Sequence, residues 1–315
     1  LPHSKYQGLW PSLEFSEPVR ERMLQYVRTA WWFSRQGLDP NTITSNRFIL
    51  FHGPPGTGKT SLCRALAHKL AIALQPTYRQ SFNPVYLCEI NSHSLFSKWF
   101  SESGKLVARA FARIRDLAAV GPVIVLIDEI ESVAASRAHS AQGNEPSDAI
   151  RVVNAVLTEL DKLRDWPQVL VLATSNMTEA IDSALLDRAD VQQYIGPPSA
   201  EAIRRIVQSG IDELVRCHLV TDDESAPSEM TALSLTTLPL PLPSSHPACG
   251  YPSESDPRRV RLDAIVEQCV GFSGRTLRKL PVSAFANLVE HPPVSIGKFL
   301  DAMARAVQLE KTNRV

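Results

Sequence analysis

The sequence predicts an α/β fold: a parallel five-stranded sheet sandwiched between helices, followed by a smaller all-α unit. Three observations carry this. Five short β-rich runs alternate with helical segments over residues 1–198. Two of those runs are apolar without alternation, the pattern of strands covered on both faces. Beyond the Gly-Pro-Pro at 196–198 the pattern is helical to the end.

The β-rich runs are RFILFH at 47–52, PVYLCEI at 84–90, PVIVLID at 122–128, VLVLATS at 169–175 and VQQYI at 191–195. Helical segments separate them at 59–73, 102–119, 148–164 and 179–187. Strands that alternate with helices close right-handed crossovers, so this order builds one parallel sheet with helices on its faces. The third and fourth runs are the continuous apolar ones. The second unit is drawn from helices at 199–217, 262–270, 273–290 and 294–309, with no strand signal among them. The expected division is therefore 1–198 and 199–315. From Thr221 to Pro257 the chain is rich in Ser, Thr and Pro and lacks long-range periodicity. It is expected to be a disordered insertion in the helical unit, a docking motif within it being the less favoured alternative.

Composition narrows the function classes. The 315 residues suggest two domains, and 44% apolar content is ample for a core. Thirty-three basic residues balance 33 acidic ones. Zero net charge argues against a nucleic-acid partner held by bulk electrostatics and leaves room only for a local basic channel. The cysteines are Cys63, Cys88, Cys217, Cys249 and Cys269. Their number is odd and no pair has C-x-x-C spacing, so neither a disulfide framework nor a zinc site is indicated, and free thiols suit a reducing compartment. The longest apolar run, VIVLI at 123–127, is far short of a membrane span, and no signal peptide is seen. A chain that opens on Leu1 rather than Met is expected to lack an N-terminal part.

The chemistry starts at GPPGTGKT, Gly53 to Thr60, a full G-x-x-x-x-G-K-[ST] between a predicted strand and a predicted helix. Glycines let the backbone curl so that successive N–H groups face one concavity. The helix N-terminus adds partial positive charge. Gly53, Pro54, Pro55, Gly56, Thr57, Gly58, Lys59, Thr60 and Ser61 are thus the candidate triphosphate cradle. Lys59 reaches the β- and γ-phosphates and the Thr60 hydroxyl is a Mg²⁺ ligand. VIVLIDE then ends a buried strand in two carboxylates. Asp128 is placed to hold Mg²⁺ through water, Glu129 to orient and polarise the attacking water. Asn176 ends the fourth run, where a polar side chain can position the same water; read alone, it is equally a turn or cap residue.

GPPGTGKT, VLIDEIES, ATSN and DSALLDRADVQQYIGPP, in that order, resemble an AAA+ ATPase over about residues 5–310 apart from the insertion. INSHSLFSKWFSESGKLV at 90–107, EPSDAIRVVNAVLTELD at 145–161, DRADVQQYIGPPSAEAI at 187–203 and GFSGRTLRKLP at 271–281 are similar to the pachytene-checkpoint branch, the family that includes thyroid receptor-interacting protein 13. The resemblance implies a homo-hexameric ring with ATP sites between subunits and a separate N-terminal recognition domain. It implies that the ring remodels HORMA-domain proteins presented by an adaptor, by pulling a segment into a central pore, with no membrane or direct nucleic-acid partner. It implies work in meiotic recombination and checkpoint control, in the nucleus and in part the cytoplasm.

The resemblance also assigns residues. Lys59 and Thr60 correspond to Walker A, Asp128 and Glu129 to Walker B, and Asn176 to sensor 1. Arg188 falls where the family's trans-acting arginine sits. Many relatives have Arg-Arg-Phe there and this chain has Asp187-Arg188-Ala189, so one clear finger remains and a second is in doubt. Arg275, after GFSG, resembles sensor 2 on a lid that would turn about a hinge near Gly196–Ser199. Read alone, Arg188 and Arg275 are surface salt-bridge residues. Gly8 and Leu9, in YQGLWPSLEF, are the adenine-side candidates, while Trp10 and Phe15 read equally well as core. Trp31, Trp32 and Phe33 are expected in the core or a subunit interface. Lys98, Trp99 and Phe100 fall on the expected pore loop, where an aromatic ring grips an extended peptide without reading its sequence. The polar stretch at 138–147 is a second pore-loop candidate.

Two rival classes are weighed. A helicase or clamp loader would show tight, salt-dependent DNA binding, against which the neutral charge argues. A nucleotide-gated scaffold would show no turnover, against which Glu129, Asn176 and Arg188 argue.

Overall fold

A computed structural model of the chain describes residues 1–36, 39, 42–78, 84–91, 103–131, 147–177, 181–221, 257–288 and 292–314. The chain forms two compact units, Leu1–Pro197 and Pro198–Val315.

The first unit opens with α1 (Leu9–Ser12) and α2 (Val19–Arg35). There follow β1 (Phe48–His52), α3 (Lys59–Tyr78), β2 (Tyr86–Asn91), α4 (Ser103–Ala118), β3 (Val123–Asp128), α5 (Ser147–Leu163), β4 (Val169–Ser175), α6 (Ser183–Leu186) and β5 (Val191–Tyr194). The strands pair in the order β2-β3-β4-β1-β5, all parallel. Parallel neighbours need crossovers, and the helices supply them. The expected five-stranded parallel sheet with flanking helices is what the chain forms.

The unbroken apolar runs have a direct physical reason. Successive strand side chains point to opposite faces, and each face has its own core. Phe48, Leu50, Val123, Val125 and Val171 pack with Phe111 and Ile114 of α4 and Val153 and Val156 of α5. Ile49, Phe51, Ile124, Leu126 and Leu172 pack with Leu62, Leu66 and Leu70 of α3 and Met23, Val27 and Trp31 of α2. Every residue of β4 is buried. Of the adjacent aromatics on α2, Trp31 is buried but Trp32 is 57% exposed and tilts against Phe33. Trp32 is therefore not a core residue; α2 turns only one stripe towards the sheet and Trp32 falls off it.

One cation is buried at the entry to the sheet. Arg47, 6% exposed, precedes β1. Its guanidinium donates to the carbonyls of Arg164 at 2.7 Å, Val169 at 3.1 Å, Trp166 at 3.2 Å and Ser45 at 3.4 Å. The planar fork of five donors suits this set, because carbonyls at strand entries have lost water and need partners.

In the second unit α7 (Ala200–Arg216), α8 (Pro257–Gln268), α9 (Gly274–Ala286) and α10 (Ile296–Thr312) pack around Ile203, Ile206, Leu262, Ile265, Leu277, Phe299 and Met303. Ser199 caps α7 by accepting from the Ala202 N–H, and Ser273 caps α9 by accepting from the Thr276 N–H. Two strands appear where none was expected: β6 (Val220–Thr221) and β7 (Val294–Ser295) pair in parallel. Two residues carry no period to read, so no sequence pattern announces them. Thr221 thus belongs to β6, and Pro257 opens α8, five residues before the expected start at 262, a position where a missing N–H costs nothing. The rest of the expected insertion, 222–256, lies outside the described residues.

Replacing Arg47 by Met, of similar length and no donors, should strand these carbonyls and cost about 2–4 kcal/mol. Urea unfolding measures it. An unchanged midpoint would mean that water replaces the guanidinium.

Candidate active site

The functional side chains of the first unit collect at the C-terminal edge of the sheet, since both faces are covered and only strand ends leave polar groups accessible. β1 runs directly into the Gly53–Thr60 loop, and Lys59 is the first residue of α3. Gly53 has φ +138, and a Cβ there would stand 2.3 Å from the Ile195 carbonyl oxygen at the end of β5. Only glycine fits. Gly58 has φ +97 and lies under the ring of Phe15, 3.7 Å from where a Cβ would be. Phe15 therefore packs over the loop, and the segment carrying Gly8 and Leu9 packs on α3 through α1. Gly8, at φ +77, starts α1.

Lys59 is 5% exposed, and its ammonium donates to the Gly53 carbonyl at 2.8 Å and the Pro54 carbonyl at 2.7 Å. The Thr57 hydroxyl donates to the Pro54 carbonyl at 3.0 Å. The loop thus holds a positive charge on its own backbone. His52, just before it, is pushed below its usual pKa by burial and then by the Lys59 charge, so near neutral pH it adds no second cation. Cys63, one turn into α3, is fully buried, and burial with the nearby Asp128 carboxylate pushes its thiol well up. It is a packing residue, not a nucleophile.

Two strands and a helix meet at one carboxylate. The Thr60 hydroxyl donates to Asp128 Oδ1 at 2.8 Å, and the Thr174 hydroxyl donates to the same oxygen. Thr174 Oγ1 in turn accepts from the Glu129 N–H at 3.1 Å. Glu129 leaves β3 with φ +57, a left-handed conformation in which a side chain with a Cβ is strained by about 1–2 kcal/mol. The twist sends its carboxylate away from Asp128's position and towards β4, where Asn176 Nδ2 approaches Glu129 Oε1 at 3.5 Å. The Asn176 N–H donates to Glu131 Oε1 at 3.0 Å. Glu131 is 9% exposed, and its second oxygen has no hydrogen-bond partner among the described residues.

These residues fit a nucleotide with Mg²⁺. The loop offers an ammonium and a helix N-terminus, and Thr60 and Asp128 offer two hard oxygens. Among the described residues no group of three or more His, Cys, Asp or Glu forms a metal cage. Mg²⁺ usually takes waters and substrate phosphates as its other ligands.

Arg188 stands apart. It precedes β5, whereas the loop follows β1, the strand paired with β5 in parallel. The five residues of β1 place these ends about 17 Å apart at 3.3 Å per residue. Arg188 donates through Nε and Nη2 to the two oxygens of Asp161 at 2.7 and 2.8 Å, and through Nη1 to the Ala184 carbonyl at 2.7 Å. Within its own subunit it is a salt-bridge residue far from the loop. Arg275 is exposed in the first turn of α9, in the second unit. Lys98, Trp99, Phe100 and residues 138–146 lie outside the described residues.

Sequence reasoning missed Thr174, Glu131 and Asp161. For Thr174 a signal was present: a hydroxyl that follows five apolar residues in a strand read as covered on both faces must find partners, and here, at 2% exposure, they are catalytic candidates.

A P-loop strand between β4 and β5, with acidic and amide residues ending β3 and β4, defines an AAA-type nucleotide site. The family model "ATPase family associated with various cellular activities (AAA)" matches residues 49–197, and "TRIP13-like, AAA+ ATPase lid C-terminal domain" matches 199–311. The chain is an AAA+ ATPase. It is 47% identical over 310 residues to the pachytene checkpoint protein 2 homolog of Xenopus tropicalis, covering 98% of this chain and 68% of that one. The human pachytene checkpoint protein 2 homolog is 46% identical over 317 residues, covering all of this chain and 69% of that one. The solved structure of C. elegans PCH-2 superposes with a TM-score of 0.79 at 34% identity, over 99% of this chain and 74% of that one. The chain belongs to the pachytene checkpoint protein 2 family.

The left-handed Glu129 gives a test that is independent of activity. Glycine at 129 should be more stable than alanine by about 1 kcal/mol, the reverse of their usual order, because only alanine carries a strained Cβ. Thermal melts of Glu129→Gly and Glu129→Ala compare them. Alanine equal or better would remove the strain.

Proposed function

We propose that the chain is the motor of a ring ATPase that converts HORMA-domain proteins, acting in meiotic recombination and checkpoint control on chromosomes in the nucleus. The observation that carries the ring reading is the placement of Arg188. It lies at the opposite end of β1 from its own loop, so it can act on a γ-phosphate only in a neighbouring subunit. A homo-hexamer follows from the family resemblance.

The roles are these. Lys59 and the N-terminal turn of α3 bind the phosphates of ATP, and Thr60 and Asp128 would hold Mg²⁺, which would supply neutralisation of phosphate charge. Glu129 accepts the proton of the attacking water, and Asn176 holds that carboxylate and the water in line. Thr174 keeps Asp128 and the Glu129 backbone in register. The neighbour's Arg188 would leave Asp161 for the γ-phosphate and stabilise charge in the transition state. The segment around Gly8, Leu9 and Phe15 covers the adenine side. Arg275 is the candidate contribution of the second unit. Trp99, flanked by Lys98 and Phe100, would grip the substrate.

The HORMA-domain partner is supported by one solved fold likeness, and its adaptor rests on the family resemblance. A HORMA:CdnC:Trip13 complex from E. coli shares the fold with a TM-score of 0.67 at 17% identity, over 97% of this chain.

Glu129→Gln should bind ATP and assemble while turnover falls about 100-fold or more. With ATP it should retain a HORMA-domain protein, identified by mass spectrometry of the trapped complex. Adding Trp99→Ala should release it, and Trp99→Ala alone should hydrolyse ATP without remodelling. Full remodelling by Trp99→Ala would sink the pore-loop role. Ring assembly with no HORMA protein held would leave the ATPase and remove the substrate class.

A further inference from the structure

An arginine that serves a neighbouring subunit must be presented at its own subunit's edge, and the contacts of Arg188 divide between side chain and backbone. Its guanidinium is held by the bidentate pair with Asp161, whose side chains are 30% and 49% exposed, and by the Ala184 carbonyl. Solvent reaches the ion pair, so a more highly charged acceptor can compete for it. Its backbone is held from two sides. The Asn46 side-chain amide donates to the Arg188 carbonyl at 2.9 Å. Two residues on, Asp190 accepts at Oδ1 from the Asn46 N–H at 3.0 Å. At Oδ2 it accepts from the Tyr26 hydroxyl at 3.0 Å and from the Ser45 hydroxyl and Phe48 N–H, both at 3.4 Å. The Asp190 N–H donates to the Phe48 carbonyl at 2.9 Å.

We infer, resting on the trans-acting reading of Arg188, that Asp190 with Asn46 is its positioning residue, clamping the arginine's backbone to the entry of β1 so that its side chain is free to change partners. Asp190 is itself exposed, yet it gathers four donors from α2 and the β1 entry. That is more than a surface aspartate needs, and it spends a carboxylate on backbone N–H groups, which form strong charge-assisted bonds. The other end of β5 is fixed too: the Ile195 N–H donates to the His52 carbonyl at 2.8 Å, and the Ile195 carbonyl closes against Gly53. β1 and β5 therefore form one two-stranded bar. The subunit's own phosphate loop sits at one end and the arginine it lends to a neighbour at the other.

The test uses Arg188→Ala, Asp190→Ala and Asn46→Ala in the full chain, each alone and mixed in equal amounts with Glu129→Gln subunits. Glu129→Gln keeps an intact arginine but has no working site of its own. Steady-state ATP hydrolysis and binding of a fluorescent ATP analogue are measured. Asp190→Ala alone should lose about tenfold or more in turnover, as Arg188→Ala does, with analogue affinity within about twofold. Mixing should recover towards about a quarter of the wild-type rate, since about one interface in four then pairs an intact loop with an intact arginine. Asn46→Ala should lose less and recover likewise; because it removes only a side-chain amide, it carries the test if Asp190→Ala fails to fold.

Wild-type turnover in Asp190→Ala and Asn46→Ala beside a crippled Arg188→Ala overturns the inference. So does recovery of Arg188→Ala on mixing when neither clamp variant recovers, because their defect would then be structural. Undiminished turnover in Arg188→Ala would instead remove the trans-acting reading itself.

Discussion

Burial of both faces of the parallel sheet is the constraint on which the rest of the first unit depends. Once Ile49 and Phe51 face one core and Phe48 and Leu50 the other, β1 has room for a polar side chain only at its end, where His52 sits. Chemistry is confined to the two ends of the strands. At the C-terminal edge a hydroxyl of α3 and a hydroxyl of β4 share the carboxylate that ends β3. At the N-terminal edge Arg47 and Asp190 tie off the strand entries through carbonyls and N–H groups. The two edges are one strand length apart, and each gathers its own set of charged and polar groups.

What was legible in the sequence was what is local. The strands fall within two residues of the runs RFILFH, PVYLCEI, PVIVLID, VLVLATS and VQQYI, because strand character there is a matter of neighbouring residues, clearest in the two continuous apolar runs. Lys59 at the head of α3 follows from the spacing of Gly53, Gly58 and Thr60 alone. What was not legible is what depends on residues far apart in the chain. Asp161 meets Arg188 across 27 positions, Thr174 meets Asp128 across 46, and Asp190 meets Asn46 across 144. No periodicity encodes such pairs. The β6–β7 pair failed for the opposite reason: at two residues each, the strands are too short to carry a pattern. For Trp32 the sequence left the core and a subunit interface as alternatives, and the helix stripe removes the first.

Glu129 joins stability to chemistry. A left-handed backbone at the end of β3 is unfavourable for any residue with a Cβ, and it is held there by the Glu129 N–H on Thr174 and the Ile130 N–H on the Thr174 carbonyl. One threonine therefore turns the carboxylate away from Asp128 and towards Asn176. Two adjacent acids end up with different neighbours, Asp128 with two hydroxyls and Glu129 with an amide.

The bonds of Lys59 to the Gly53 and Pro54 carbonyls have a thermodynamic corollary. Any acceptor that claims this ammonium must displace two backbone carbonyl oxygens, so it has to accept more strongly than an amide oxygen does. The carbonyls it releases would in turn need new donors or water.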